Sequence, residues 1–342
     1  VVPRVKGTLF SLRNNYDNRD IEIIGTDANS DAVGRYYCEN FYTISSASKE
    51  KKYLSDIKSI VKKEKINIIL PQNTMELLIL AKNKLFFEKL NTTVIVSDSL
   101  QLNIANDKSK IMRYCKDIKI PTAKFYNVET IKELKSSAKK LGWPEKKIVI
   151  KPPVSNGSRG VRIINENIDI KSMFFNDKPN SLFTNMQILE LTLGEKFETL
   201  IVSEFHEGDE YTVDVFSYNS LTTCIPRKRI NIKSGITFDG VLEKNKDIIE
   251  YSTKLSEALD LKYCFGFQFI LSKHQKPFLI ECNPRVQGTM IMSTFAGANL
   301  IYSSVKAALG EDIPEFNINW KTRFSRYWGG ISISDDKIFE LL

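Results

Sequence analysis

The hairpin spanning residues 263–283 limits what this chain can fold into more than any other stretch. Phe278-Leu279-Ile280-Glu281-Cys282-Asn283 alternates, so Leu279, Glu281 and Asn283 face one side of a strand while Phe278, Ile280 and Cys282 face the other. The preceding strand reads Phe265-Gly266-Phe267-Gln268-Phe269-Ile270-Leu271. A symmetric turn centred between His274 and Gln275 would set Gln268 opposite Glu281 on the same face. Three side-chain oxygen donors with one formal negative charge among them would then meet, and Pro284-Arg285 would leave the strand beside them. An oxygen-only set of this kind suits a magnesium ion that completes its shell from phosphates and water. For Glu281 alone, a solvated edge-strand carboxylate is the plainer reading; for Gln268, Glu281 and Asn283 together, a metal site is favoured.

At 342 residues, 42% of them hydrophobic, the chain has room for two or three lobes with full cores. The net charge of +8 is spread over lysine-rich helices. It forms no basic face interleaved with aromatics, so no nucleic-acid partner is expected. Two histidines leave little material for a histidine metal cluster or a Ser-His-Asp triad. The five cysteines are far apart and contain no CxxC pair, which argues against a disulfide framework and favours a reducing, cytoplasmic setting. No apolar run reaches the length of a membrane span, and no signal peptide is visible. The chain begins at Val1, so what precedes it is left open.

Strands and helices alternate in the first third. Helices are expected at 4–14, Lys49 to Lys65 and Met75 to Leu90, and strands at Ile21 to Gly25, Ile66 to Leu70 and Thr93 to Ser97. Short apolar strands separated by helices indicate an open parallel sheet with covered faces. Asp27, Gln72 and Glu76 would lie at its strand ends, where such sheets bind ligands, with a helix-capping aspartate an equally good reading of Asp27. Further helices are expected from Lys108 to Lys116, Thr130 to Leu141 and Asp247 to Leu259; Asn165 to Leu193 resists assignment. From Leu200 the chain turns mostly to β-structure: Leu200 to Phe205, Glu210 to Tyr218, Leu221 to Ile230, the hairpin, and Arg323 to Ser332.

Between the strands Lys147 to Lys151 and Val161 to Ile164 runs Ser155-Asn156-Gly157-Ser158-Arg159-Gly160. The loop lacks the Gly-Lys-Ser/Thr of a phosphate loop and enters a strand, so no helix N-terminus meets the phosphates. Glycines here permit a lid whose backbone N–H groups close over an anion, with Lys151 as a point charge beside it. Glu204-Phe205-His206-Glu207-Gly208-Asp209-Glu210 is an acidic connector able to present backbone groups to an adenine edge and a carboxylate to ribose hydroxyls, although 207–210 taken alone reads more plainly as an exposed turn. Arg227, Lys228 and Arg229 put three cations on one strand, Lys228 on the opposite face from the other two.

Taken in order, Lys108, Lys151, the glycine loop, Glu204 to Glu210, Arg227 to Arg229 and Gln268…Glu281-x-Asn283-Pro284-Arg285 resemble the ATP-grasp superfamily. The closest branch is that of the carbamoyl phosphate synthetase large subunit and its single-unit relatives. The resemblance implies an α/β and α+β chain: an open parallel α/β (pre-ATP-grasp) domain at 1–105, a small grasp lobe with the glycine lid at 106–190, and a large lobe with an antiparallel sheet at 191–342. It implies ATP with one or two Mg2+, or Mn2+ in their place. Lys108, Lys151, Ser155, Asn156, Gly157, Ser158 and Gly160 would hold the phosphates, Glu204, Phe205 and His206 the adenine, and Glu210 the ribose. Gln268, Glu281 and Asn283 would hold the metal. Arg285, with Lys228 and Arg227, would stabilise the transferring phosphoryl group. The expected activity is ATP-dependent carboxylate–amine ligation through an acyl phosphate, on small-molecule acids and amines, with a homodimer left open. A non-catalytic ATP sensor or assembly module is the alternative, followed by a nicotinamide-dependent oxidoreductase.

Overall fold

The computed structural model describes residues 5–155, 157–176, 182–233, 235–327, 329–334 and 337–341. The chain forms two compact units, one of residues 1–105, 210–268 and 282–342, the other of residues 106–209 and 269–281. The division expected at residue 190 thus falls inside the second unit.

In the first unit, strand β1 (Ile24–Asp27) pairs in parallel with β2 (Asn40–Thr43), and β3 (Ile68–Ile69) with β4 (Thr93–Val94). The helix Glu50–Glu64 lays Tyr53, Ile57 and Val61 against Leu77, Leu80, Phe87, Val94 and Leu102, an apolar stripe at helical spacing that closes a core. Ile21 and Ile23 pack against the core of this unit, but β1 begins only at Ile24. The N–H of Ile23 is taken by the Glu39 carboxylate at 2.7 Å. The helix expected over Met75 to Leu90 is two helices, Thr74–Lys82 and Lys84–Glu88. Asn83 leaves helical geometry between them and its side-chain amide donates to the Ile79 carbonyl.

The second unit is built on a five-stranded sheet with strand order β5 (Phe125–Thr130), β9 (Lys196–Glu204), β6 (Ile148–Lys151), β7 (Arg162–Ile164) and β8 (Phe183–Thr184). β6 and β7 are antiparallel, with Ile148 against Ile164, so the glycine loop joins two strands. The unassigned segment supplies helices Ile170–Asn176 and Met186–Leu193 with β8 between them. Val128, Leu134, Ile148, Ile150, Ile164, Leu189 and Val202 form the core here.

A six-stranded sheet has the order β14 (Pro277–Asn283), β13 (Tyr263–Leu271), β10 (Glu210–Tyr218), β11 (Leu221–Lys233), β12 (Ile236–Leu242) and β15 (Arg323–Ser325). The expected strand Arg323 to Ser332 is interrupted. Its first residues join β12, and β16 (Gly330–Ser334) pairs instead with β17 (Lys337–Leu341). The turn between β13 and β14 also differs from the symmetric one. Ser272 N–H donates to Lys276 O and Gln275 N–H to Ser272 O, both at 2.9 Å, with Gln275 at φ 60°. That three-residue loop is centred on His274, because a left-handed residue at its end lets the chain turn one position earlier. Uninterrupted counting from the closing pair would set Gln268 against Ile280. However, alternation along β14 slips: Pro277 and Leu279 are buried, Ile280 and Glu281 are both half-buried, and Cys282 is buried again. The burial of β14 thus departs from strict alternation at Ile280 and Glu281.

Candidate functional site

Two lysines in the second unit are almost fully buried, Lys108 at 5% and Lys151 at 6% exposure. Lysine is rarely buried to that degree unless it is paired. Asp107 caps the helix Lys108–Asp117 by accepting from the N–H groups of Ser109 and Lys110, which fixes Lys108 at the first helical position. The backbone N–H of Lys108 donates to Pro153 O at 2.9 Å. Its Nζ lies 3.1 Å from Ser155 O, 3.2 Å from Ser155 Oγ and 3.4 Å from the Glu281 carboxylate. Lys151 ends β6, and its Nζ donates to Ile280 O at 3.3 Å. Ile280 thus turns its carbonyl to one lysine, and Glu281 its carboxylate to the other.

Between these anchors the loop is built for positive φ, with Gly157 at 59°, Ser158 at 60° and Gly160 at 73°. A Cβ on Gly160 would stand 2.6 Å from Pro152 Cγ. Gly157, Ser158 and Gly160 are exposed, and Asn156 lies outside the described residues.

The connector after β9 is held from both sides. Glu204 accepts from the Lys124 N–H at 2.8 Å and Glu207 from Lys147 Nζ at 2.9 Å. His206 stacks on Phe278 with centroids 4.4 Å apart, and Lys147 lies over the Phe205 ring. Burial pushes the His206 imidazole below its ordinary pKa, against the opposing pull of Glu204. Its Nε2 is buried without a hydrogen-bond partner.

In the first unit, Arg227 and Thr212 stand opposite each other across β11 and β10, and Lys228 opposite Tyr211. Arg227 therefore faces one side of the sheet and Lys228 the other. Arg227 Nε and Nη2 bond both oxygens of Asp214 at 2.8 Å, Nη2 also reaches Gln287 Oε1 at 3.1 Å, and Ser293 Oγ donates to Asp214 at 2.7 Å. A Cβ on Gly266 would collide with Gln287 Nε2 at 1.9 Å, so Gln287 lies over the Gly266 face of β13. Gln268, two positions on, shares that face. Arg229 is also engaged: its guanidinium bonds Glu210, Thr237 Oγ1 and Gly235 O. Arg285 donates to Thr74 Oγ1 at 3.1 Å and to Val286 O at 2.9 Å. Asn283 is half-buried, and its carbonyl accepts from the Arg285 N–H at 2.7 Å.

Sequence reasoning missed Asp214, Gln287 and Ser293. One signal was available, since an aspartate set between Val213 and Val215 on an apolar strand needs a buried cation. Glu76 was expected to face a ligand, but its two oxygens serve the fold. One accepts the N–H groups of Gln72 and Asn73 and the other the Tyr53 hydroxyl.

Among the described residues no three His, Cys, Asp or Glu side chains gather as a metal cluster. Glu281 offers a single carboxylate as oxygen donor, which suits magnesium better than zinc. Glu281 already attracts a positive group, the Lys108 ammonium. None of the five cysteines forms a disulfide, and no helix among the described residues is long and apolar enough to cross a membrane.

Residues 196–326 match the family described as ATP-grasp in the biosynthetic pathway with Ter operon, and residues 7–95 match the PylC-like N-terminal domain. The carbamoyl phosphate synthase large chain of Clostridium acetobutylicum is 21% identical over 309 residues, which are 87% of this chain and 26% of that protein. This chain thus spans about a quarter of the length of that curated relative. Among solved structures, a biotin carboxylase complex with βγ-ATP from Campylobacter jejuni superposes with a TM-score of 0.69 at 17% identity, covering 92% of this chain and 71% of that one. The biotin carboxylase domain dimer of Hydrogenobacter thermophilus 2-oxoglutarate carboxylase, in complex with MgADP, ADP and bicarbonate, gives 0.67 at 15% identity, covering 98% and 80%.

Proposed function

We propose that this chain, which matches an ATP-grasp family over residues 196–326 and is similar to carbamoyl phosphate synthase large chains, is an ATP-dependent carboxylate–amine ligase. The observation that carries the proposal is the meeting of two buried lysines, the glycine loop and Glu281 within one unit. Phosphoryl transfer needs positioning and charge neutralisation more than a protein nucleophile, and this unit supplies both.

In this reading a substrate carboxylate oxygen attacks the γ-phosphorus of ATP in line. The new O–P bond forms as the bond to ADP breaks. An amine then attacks the acyl carbon, the C–O bond to phosphate breaks, and the amine proton is lost with phosphate release. Lys108 and Lys151 hold phosphate oxygens as point charges, and the backbone N–H groups of the 155–160 loop cover them. Glu204, Phe205 and His206 line the base, and Glu210 receives the ribose. Gln268, Glu281 and Asn283 would hold Mg2+, which when bound offsets the phosphate charge. Arg285 is assigned to the charge that develops on the transferring group. Arg227, committed to Asp214, serves by positioning Gln287, and Lys228 faces away from both.

The test is phosphate release from ATP and Mg2+ over a pooled set of carboxylates and amines, with product masses read out. The expected result is substrate-dependent release by the wild type that Glu281→Gln abolishes. ATP binding with no release over the whole pool would favour a nucleotide sensor instead; no binding at all would remove the reading.

A further inference from the structure

We infer that Lys108 and a divalent cation compete for Glu281, so that metal enters together with a nucleotide and seldom by itself. The inference deepens the reading above and rests on it for the identity of the metal. The geometry lies within one unit. Lys108 Nζ is within 3.4 Å of the Glu281 carboxylate, and the same ammonium donates to the carbonyl and hydroxyl of Ser155, at the start of the glycine loop. The side chain of Lys108 is 6% exposed and that of Glu281 21%, so the pair is only weakly screened by solvent. Pro153, two residues before Ser155, is bound to the Lys108 backbone N–H. One lysine therefore ties the entry of the loop to the acid expected to hold metal.

Glu281 has one negative charge to share. A divalent ion brought to it alone meets an ammonium a few ångströms away, and the two cations repel in surroundings of low dielectric. Lys108 has no other carboxylate within ion-pair distance among the described residues, so moving it aside strips a buried charge of its partner. An incoming triphosphate changes the balance. It offers Lys108 a new anion, frees Glu281 for the metal, and takes the lysine's hold off Ser155, so that the loop is released at the moment its phosphate ligand arrives. Binding of metal and of nucleotide are then positively coupled, and the coupling is reciprocal.

The experiment measures Mn2+ binding to the intact chain without nucleotide, by the electron paramagnetic resonance of the free ion, for wild type, Lys108→Met and Glu281→Gln. Lys108→Met should bind Mn2+ at least tenfold more tightly than wild type, and Glu281→Gln should bind it more weakly than either. Equal or weaker binding by a folded Lys108→Met overturns the inference. Should Lys108→Met fail to fold, hydrogen exchange across residues 153–160 in Glu281→Gln decides. Loss of the lysine's partner should speed exchange there severalfold, and an unchanged rate overturns the inference. Both measurements omit nucleotide, so they are distinct from the wild type's Mg-ATP binding, whose absence would instead sink the functional reading.

Discussion

Burying Arg227 at 1% exposure against Asp214 at 0% removes two charges from water, and the structure offsets this with a bidentate pair and bonds from Gln287 and Ser293. Removing one partner leaves the other charged and unpaired, which costs about 3–5 kcal/mol. Arg227→Leu should lower stability by about that amount in urea titrations. Arg227→Leu with Asp214→Leu should recover part of the loss, because no buried charge is left unpaired, although Gln287 and Ser293 lose their bonds to the pair. A single variant as stable as wild type would show that the pair is not what holds these strands. Glu76 allows a second prediction. Desolvation raises its carboxyl above the usual range, against the opposing pull of the Asn73 and Gln72 N–H groups and the Tyr53 hydroxyl. A folded pKa above the unfolded one gives stability that is fully present below the unfolded value and is lost as pH rises through the folded one. The stability of wild type minus that of Glu76→Gln should therefore decline as pH climbs from about 4.3, the unperturbed glutamate value. Urea midpoints for both proteins between pH 4 and about 8 read this directly, and a flat difference would rule it out.

Among the elements, those whose signal was local were legible. Asp107, Asn245 and Thr130 each accept a backbone N–H at a helix start, and those helices were read to within a residue or two at their starts. The glycine loop was also legible as a strand-to-strand connection. The helices within Asn165 to Leu193 were not, since Ile170–Asn176 buries no residue and so shows no stripe. The loop carries the prediction at this scale. Gly160 combines φ 73° with a Cβ position 2.6 Å from Pro152 Cγ, so Gly160→Ala must distort the turn. A left-handed alanine costs roughly 1–2 kcal/mol, and if the loop covers phosphates, most of that should appear in ligand binding. Calorimetry should show Mg-ATP affinity falling by about five- to thirtyfold, with the urea midpoint little changed. Unaltered affinity would take the loop out of the site.

Across the whole molecule, the order of motifs outran what any one of them could say. Lys108, Lys151 and Glu281 are scattered over more than half of the sequence, yet the fold brings them within bonding distance of one another's neighbours. What stayed hidden was pairing between distant segments. Nothing in the residues near Arg229 announces that Glu210 will occupy it, or that Asp214 will occupy Arg227. Strand pairing decides both, through the register of β10 on β11. The same holds for the last strand of the second unit's sheet. Lys196–Glu204 is bound to β5 and β6 by a ladder with no counterpart in local composition.

Ile280 and Glu281 are neighbours in sequence, and one meets Lys151 through its backbone while the other meets Lys108 through its side chain. The length of β14 therefore governs both contacts at once: adding or removing one position ahead of Ile280 would change which carbonyl and which side chain the two lysines find.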